Sequence, residues 1–253
     1  MSEPIFVAFA SQKGGSGKST LTTLVASYLH YVENIDVLVM DCDPRQHSQR
    51  DYRDNDVLVT TENPYLKKVL LDFYKKSGRS VYDIKYCDDL SIAIDKAEEA
   101  INEGDPAKVV FFDITGTIND SAIVNLIASM HYLFVPITTD TGDMKSSLRF
   151  ADYVMQRMVT TNKTSIKDLR LLWNKIPGRS KIKVCELIDD YMEELGLHSL
   201  SSVLSNSTKY FKDGASSGKI GLFRSTMLPP DKRLLKGSNL PELVSEIRKI
   251  IKV

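Results

Sequence analysis

The sequence predicts an α/β fold: a mostly parallel, twisted β-sheet with helices on both faces, three layers in all. Three observations lead there. Short apolar runs without polar alternation recur along the chain, as strands buried on both faces do. Segments of helical period separate them. The first run, Ile5 to Ala10, passes straight into a glycine-rich loop and a helix expected over about 18–31.

The remaining elements follow in order. Val37-Leu38-Val39-Met40 is a second buried strand ending at Asp41, and a loop then carries Asp43-Pro44-Arg45-Gln46. Residues 64–77 form an amphipathic helix stopped by Gly78, a common residue beyond a helix end. Residues 80–105 include a helix rich in Ala and Glu that ends near Gly104-Asp105-Pro106. Val109-Val110-Phe111-Phe112 is the third buried strand, ending at Asp113. A helix at about 120–130, a strand from Tyr132 to Ile137 and a helix at about 144–159 come next. Leu169 to Trp173 is a strand ending at Asn174, and helix 183–195 stops at Gly196. The run 213–218, Asp-Gly-Ala-Ser-Ser-Gly, reads as a mobile loop. Phe223 to Leu228 leads into Pro229-Pro230, and 241–252 is a closing helix. No internal repeat, low-complexity tract or linker stands out, so one domain over residues 1–253 is expected.

Composition narrows the function classes. The 253 residues are 42% hydrophobic and 26% charged, enough for a large core. Net charge is zero, but residues 1–159 hold 16 Lys+Arg against 23 Asp+Glu (net −7), and the remaining 17 against 10 leave 160–253 at +7. That asymmetry points the C-terminal part toward an anionic partner. Cys42, Cys87 and Cys185 are few, widely spaced and without a CxxC pair, which argues against a disulfide framework or zinc site. His30, His47, His131 and His198 show no metal-ligand spacing. No apolar stretch reaches the roughly 18 residues a membrane span needs, and the N-terminus lacks the features of a signal peptide. A cytoplasmic location is expected.

The strongest chemical signal is the loop Lys13-Gly14-Gly15-Ser16-Gly17-Lys18-Ser19-Thr20 between strand and helix. Glycines let successive backbone N–H groups curl toward phosphate oxygens, and the helix N-terminus adds partial positive charge. Lys18 would neutralise phosphate charge, and Ser19 would offer a hydroxyl to Mg²⁺. The plain pattern G-x-x-x-x-G-K-[ST] fails, because Gln12 stands at its first glycine. The loop instead carries an additional lysine, Lys13. This resembles the deviant Walker A loop of the ParA/MinD/Soj superfamily of P-loop NTPases, which also holds the nitrogenase iron protein.

That resemblance implies a weak ATPase that binds ATP and Mg²⁺ and forms an ATP-dependent homodimer stimulated by a partner protein. It implies that Lys13 reaches the partner subunit's ATP; screening of phosphate charge within its own subunit is the alternative. Parallel sheets bind ligands at the carboxyl ends of their strands, where Asp41, Asp43 and Asp113 stand. Asp113 is similar to the Walker B residue that holds Mg²⁺, and Asp43 to the switch aspartate that orients the attacking water. Asp41 supports Mg²⁺ or the loop. Strand-end aspartates are also common turn formers. Trp173-Asn174-Lys175 resembles the family position whose amide meets adenine; loop or cap use of Asn174 is the rival reading. Met227 to Pro230, with Pro229, would pack on the base; Trp173 is expected in the core.

The resemblance covers 5–20, 37–48, 108–116 and 169–175 well. It departs at Arg45, where partition ATPases carry Gln, at Gly116, where proline is usual, and between Gly196 and Pro230, including the stretch 197–228. The segments Ala26 to His30 and Phe223 to Lys232 resemble ParA-like proteins, often called TraA, of Bacteroides conjugative elements.

Three uses of ATP are then open. In the first, a DNA-associated switch serves partition or transfer of mobile DNA, binding duplex non-specifically through Arg179, Lys181, Lys183, Lys209, Lys212, Lys219, Arg224, Lys232, Arg233 and Lys236. In the second, a MinD-like regulator binds membranes through the amphipathic helix from Pro241 to Val253, although packing on its own core explains that helix better. The third is an ATP-driven reductase, for which Cys87 and Cys185 lack a cluster arrangement.

Overall fold

The computed structural model describes residues 3–115, 120–161, 163–177, 182–211 and 221–253. Within these, seven strands form one sheet: β1 (Ile5–Phe9), β2 (Val37–Cys42), β3 (Asp83–Tyr86), β4 (Val109–Ile114), β5 (Tyr132–Ile137), β6 (Asp168–Trp173) and β7 (His198–Ser199). Their order is β3-β2-β4-β1-β5-β6-β7, and every pairing is parallel. The helices are α1 (Lys18–Tyr31), α2 (Ser48–Glu62), α3 (Pro64–Ser77), α4 (Ala93–Asn102), α5 (Ser121–Ala128), α6 (Thr141–Val154), α7 (Ile182–Glu194), α8 (Lys232–Leu235) and α9 (Leu240–Ile251). The predicted three-layer α/β/α arrangement is present.

Successive β1 residues feed opposite cores, as strand geometry requires. Phe6, Ala8 and Ala10 join the layer of α4 to α7, while Val7 and Phe9 join the layer of α1 and α9. α9 buries Leu240, Leu243, Val244, Ile247 and Ile251 against that second core, so its apolar stripe is covered. Trp173 is fully buried, and its indole donates to Asp189 at 2.8 Å.

The structure adds β3, β7, α2 and the short α8 to the expectation. β3 is an edge strand with little buried surface, and β7 has only two residues, so neither carries an apolar run. α2 is mostly polar, and no local side chain caps its start at His47. Its first N–H groups are instead satisfied by Asp41 at the end of the preceding strand, whose Oδ2 accepts the N–H of Gln49 at 3.0 Å and of Arg50 at 3.2 Å. Pro64 starts α3 with Asn63 as its N-cap, accepting from Tyr65 and Leu66 N–H. α6 ends in a π-type turn over Met155–Val159. The expected loop at 213–218, Gly116, and the basic candidates Arg179, Lys181, Lys212 and Lys219 lie outside the described residues, as does the side chain of Lys183.

Candidate functional site

β1 lies between β4 and β5, where chain connections depart to opposite sides of the sheet. The crevice at the carboxyl end of such a strand is the natural ligand position. Gln12, Gly14, Gly15, Gly17, Lys18, Ser19 and Thr20 line an open cleft of about 380 Å³ there, facing Asp43, Arg45, Tyr52, Thr115 and Lys175. That volume is ordinary for a small-molecule site.

The loop's shape follows from its residues. Gly15 and Gly17 have φ of 79° and 94°, a region where a side chain is strained. A Cβ on Gly17 would also come within 2.8 Å of Asn174 Nδ2. Gly17 precedes α1 without a side-chain cap, so the first N–H groups of that helix have no cap oxygen. Ser11 and Ser16 join by their hydroxyls at 2.7 Å, and Ser11 also donates to the Lys13 carbonyl. Lys18 folds back over the loop, its Nζ 3.4 Å from the Lys13 carbonyl. Burial lowers the Lys18 pKa, against the raising effect of Asp113 and Asp43. Lys13 is exposed and pairs with Asp143 at the start of α6, which raises its pKa.

Opposite the loop, Ser19 Oγ donates to Asp113 Oδ1 at 3.1 Å. Burial pushes the Asp113 carboxyl up to about 6, against the lowering effect of hydrogen bonds from Gln49 and Ser19. Asp41 is also fully buried, and burial raises its pKa. Its oxygens accept backbone N–H groups from Asp43, Gln49 and Arg50, so it braces the start of α2. Asp43 is half-buried on the cleft wall and accepts the Arg45 N–H at 3.2 Å. A hydroxyl and a carboxylate beside a phosphate-shaped cradle are hard oxygen donors, which fits Mg²⁺ shared with phosphate oxygens.

Asn174 lies against the loop, with Nδ2 donating to the Ser16 carbonyl at 2.9 Å, the contact of the loop-capping alternative. Its Oδ1 accepts the Lys175 N–H at 2.9 Å, and Lys175, at φ 56°, donates from Nζ to the Gly15 carbonyl. Beside it, Gly17, Thr20, Leu21, Leu24, Asn206 and Tyr210 line a small apolar pocket of about 60 Å³.

Pro229 is not part of that pocket. It lines a separate groove with Tyr65, Leu66 and Phe73 of α3. The segment before it is tied to the helices: Thr226 donates from N and Oγ1 to Asp56, and Thr226 and Met227 carbonyls accept from Tyr31 and Tyr74 hydroxyls. Arg224 also leaves the basic surface set, since it is 9% exposed with its guanidinium 3.8 Å from the Tyr52 ring centroid. Lys209 is held by the carbonyls of Leu234 and Lys236, and Arg233 pairs with Asp231. Lys232 and Lys236 are exposed.

Sequence reasoning missed Gln49, Tyr52 and Lys175. Gln49 sits in a polar helix that no apolar stripe reveals, and Lys175 had only its place beside Asn174 as a signal.

Among the described residues no helix is long and apolar enough to cross a membrane. No curated protein matches the sequence. Solved structures do match the fold. The MinD cell division protein of Aquifex aeolicus aligns with a TM-score of 0.62 at 17% identity, covering 99% of this chain and 98% of that one. A putative plasmid partition protein from Borrelia burgdorferi B31, bound to AMPPNP, gives 0.62 at 17% identity, with 97% and 100% covered. A ParA family ATPase from Chlorobium tepidum TLS gives 0.59 at 16% identity, with 96% and 97% covered. The family model described as the CobQ/CobB/MinD/ParA nucleotide binding domain matches residues 7–218. With the phosphate-type loop at the sheet's switch point and a match over most of its length, this chain belongs to the CobQ/CobB/MinD/ParA family of nucleotide-binding domains, the P-loop ATPases of the ParA and MinD kind.

Proposed function

We propose that the chain is an ATP-binding and ATP-hydrolysing dimerisation switch that acts in partition or conjugative transfer of mobile DNA. The observation that carries this reading is the uncapped start of α1 beside Lys18, facing the Ser19–Asp113 pair. Bare N–H groups, a buried lysine and two hard oxygen ligands together suit a triphosphate and its cation.

In this reading Gly14 to Thr20 cradle the phosphates, and Lys18 offsets their charge. Ser19 and Asp113 would hold Mg²⁺, which would supply positive charge to the transferred phosphoryl oxygens. Asp41 supports the segment that carries Asp43, and Asp43 orients the attacking water. Asn174 keeps a second amide N–H for the base while its first holds the loop. Lys13 leaves Asp143 and reaches the ATP of a second copy. The AMPPNP bound to the Borrelia partition protein supports an adenine nucleotide as ligand.

The chain's use on mobile DNA, non-specific duplex binding and an activating protein partner rest on the family resemblance. With Arg224 buried, the DNA surface reduces to residues around Lys232 and Lys236 and the basic candidates outside the described residues. The MinD-like membrane reading is less well supported, because α9 spends its apolar stripe on the core.

Light scattering with and without MgATP tests the switch. The wild type should double in mass with ATP, while Lys13→Ala should bind ATP as a monomer and neither dimerise nor turn over. Equal dimerisation and turnover in the two proteins would remove the cross-subunit role of Lys13.

A further inference from the structure

The Gln49 side chain touches both the phosphate-loop helix and the end of β4, while its backbone N–H meets Asp41, the brace of α2. It is fully buried. Its Nε2 donates to Asp113 Oδ2 at 2.8 Å and to the Ser19 carbonyl at 3.0 Å. Its Oε1 accepts from Thr23 Oγ1 at 2.8 Å, and its backbone N–H goes to Asp41.

This pattern allows a single orientation of the amide. Turning it over would set its oxygen against a carboxylate and a carbonyl, both of which can only accept. With both N–H groups committed, Asp113 Oδ2 is held and only Oδ1 faces the Ser19 hydroxyl. The carboxylate plane is therefore set by a residue that does not itself face the cleft.

We propose that Gln49 is a positioning residue for the divalent cation: it aims Asp113 and Ser19 at the metal and so links the seat of α2 to cation binding. The inference rests on the proposed nucleotide site. It deepens that reading by placing a metal-orienting contact on the helix that follows the Asp43 segment. The same residue's N–H is fastened to Asp41, so the amide that holds Asp113 is anchored at the first turn of α2. Partners that orient a metal ligand typically change metal affinity by about 10–100-fold when removed.

The test separates metal from nucleotide. Mn²⁺ is titrated into protein with ADP and free Mn²⁺ is read by electron paramagnetic resonance; ADP binding in EDTA is measured by calorimetry. Gln49→Leu keeps the volume and loses both donors. It should weaken Mn²⁺ by about 10–100-fold and leave metal-free ADP affinity within about twofold. Thr23→Val frees the amide without touching Asp113 and should weaken Mn²⁺ in the same direction by a smaller factor. It decides the matter if Gln49→Leu does not fold.

Mn²⁺ affinity within twofold of wild type in the folded variants overturns the inference, as does an equal loss of Mn²⁺ and metal-free ADP binding. A wild type that binds no ADP at all instead refutes the nucleotide site itself.

Discussion

The ends of β2 and β4 carry the same side chain in the same register, Asp41 opposite Asp113, and both are buried. Their partners differ. Asp41 accepts three backbone N–H groups from the segment it precedes, and these donors cannot turn away. Asp113 accepts from two side chains, the Gln49 amide and the Ser19 hydroxyl, and the hydroxyl can rotate to accept instead. Backbone partners make a carboxylate a structural brace. Side-chain partners leave one that can exchange a proton-bearing neighbour for a cation.

The contrast can be broken with substitutions at the two positions. The largest effect is expected from Asp113→Ala, which removes the carboxylate from the proposed cation site. Turnover with saturating MgATP should fall on the order of 10²–10³-fold, read by phosphate release, while the circular dichroism of the folded protein is retained. Turnover within tenfold of wild type would detach Asp113 from the metal.

The next effect concerns stability of the metal-free protein. Burial raises the folded pKa of Asp113 from 3.8 to about 6. A carboxylate raised in this way costs stability above its folded pKa, because the unfolded chain ionises more easily. That cost is about 3 kcal/mol near pH 7. It fades as pH falls from about 6 toward 4, where the folded state binds the extra proton. Asp113→Asn carries no such charge, and its Nδ2 can donate to the Ser19 hydroxyl while its oxygen accepts from Gln49. In EDTA this variant should therefore be more stable than wild type by up to about 3 kcal/mol at pH 7. The gain should shrink at pH 5 in chemical denaturation. A gain independent of pH would show that the charge is not its origin.

Asp41→Asn should act in the opposite direction and more weakly. Burial also raises the Asp41 pKa, so removing the charge relieves some cost. The new amide NH₂ then meets backbone N–H groups that cannot accept, and an unsatisfied buried donor costs about 1–3 kcal/mol. A net loss of about 1 kcal/mol is expected at pH 7, with earlier melting of α2 seen by hydrogen exchange at Gln49 and Arg50. A stabilised Asp41→Asn would make the two aspartates equivalent.

The sheet's central strands, the phosphate-type loop and the aspartates at strand ends were legible in the sequence because each rests on local chemistry. Continuous apolar runs demand burial on two faces, and Gly15 and Gly17 permit a curl that residues with a Cβ resist. Placement at the carboxyl end of a buried strand was also enough to set Asp113 beside Ser19 and the phosphate-type loop. Tertiary structure alone decided the rest. α2 has little apolar surface, and its cap comes from a side chain on the preceding strand rather than from its own first residue, so no local signal marks its start. Pro229 and Arg224 went to α3 and Tyr52 because hydroxyls of Tyr31 and Tyr74 and the carboxylate of Asp56 hold the segment between them. Gln49 acquired its place from contacts to residues as far apart as Ser19 and Asp113. Buried polar groups must find partners wherever the fold brings them, and sequence spacing does not say which groups those are.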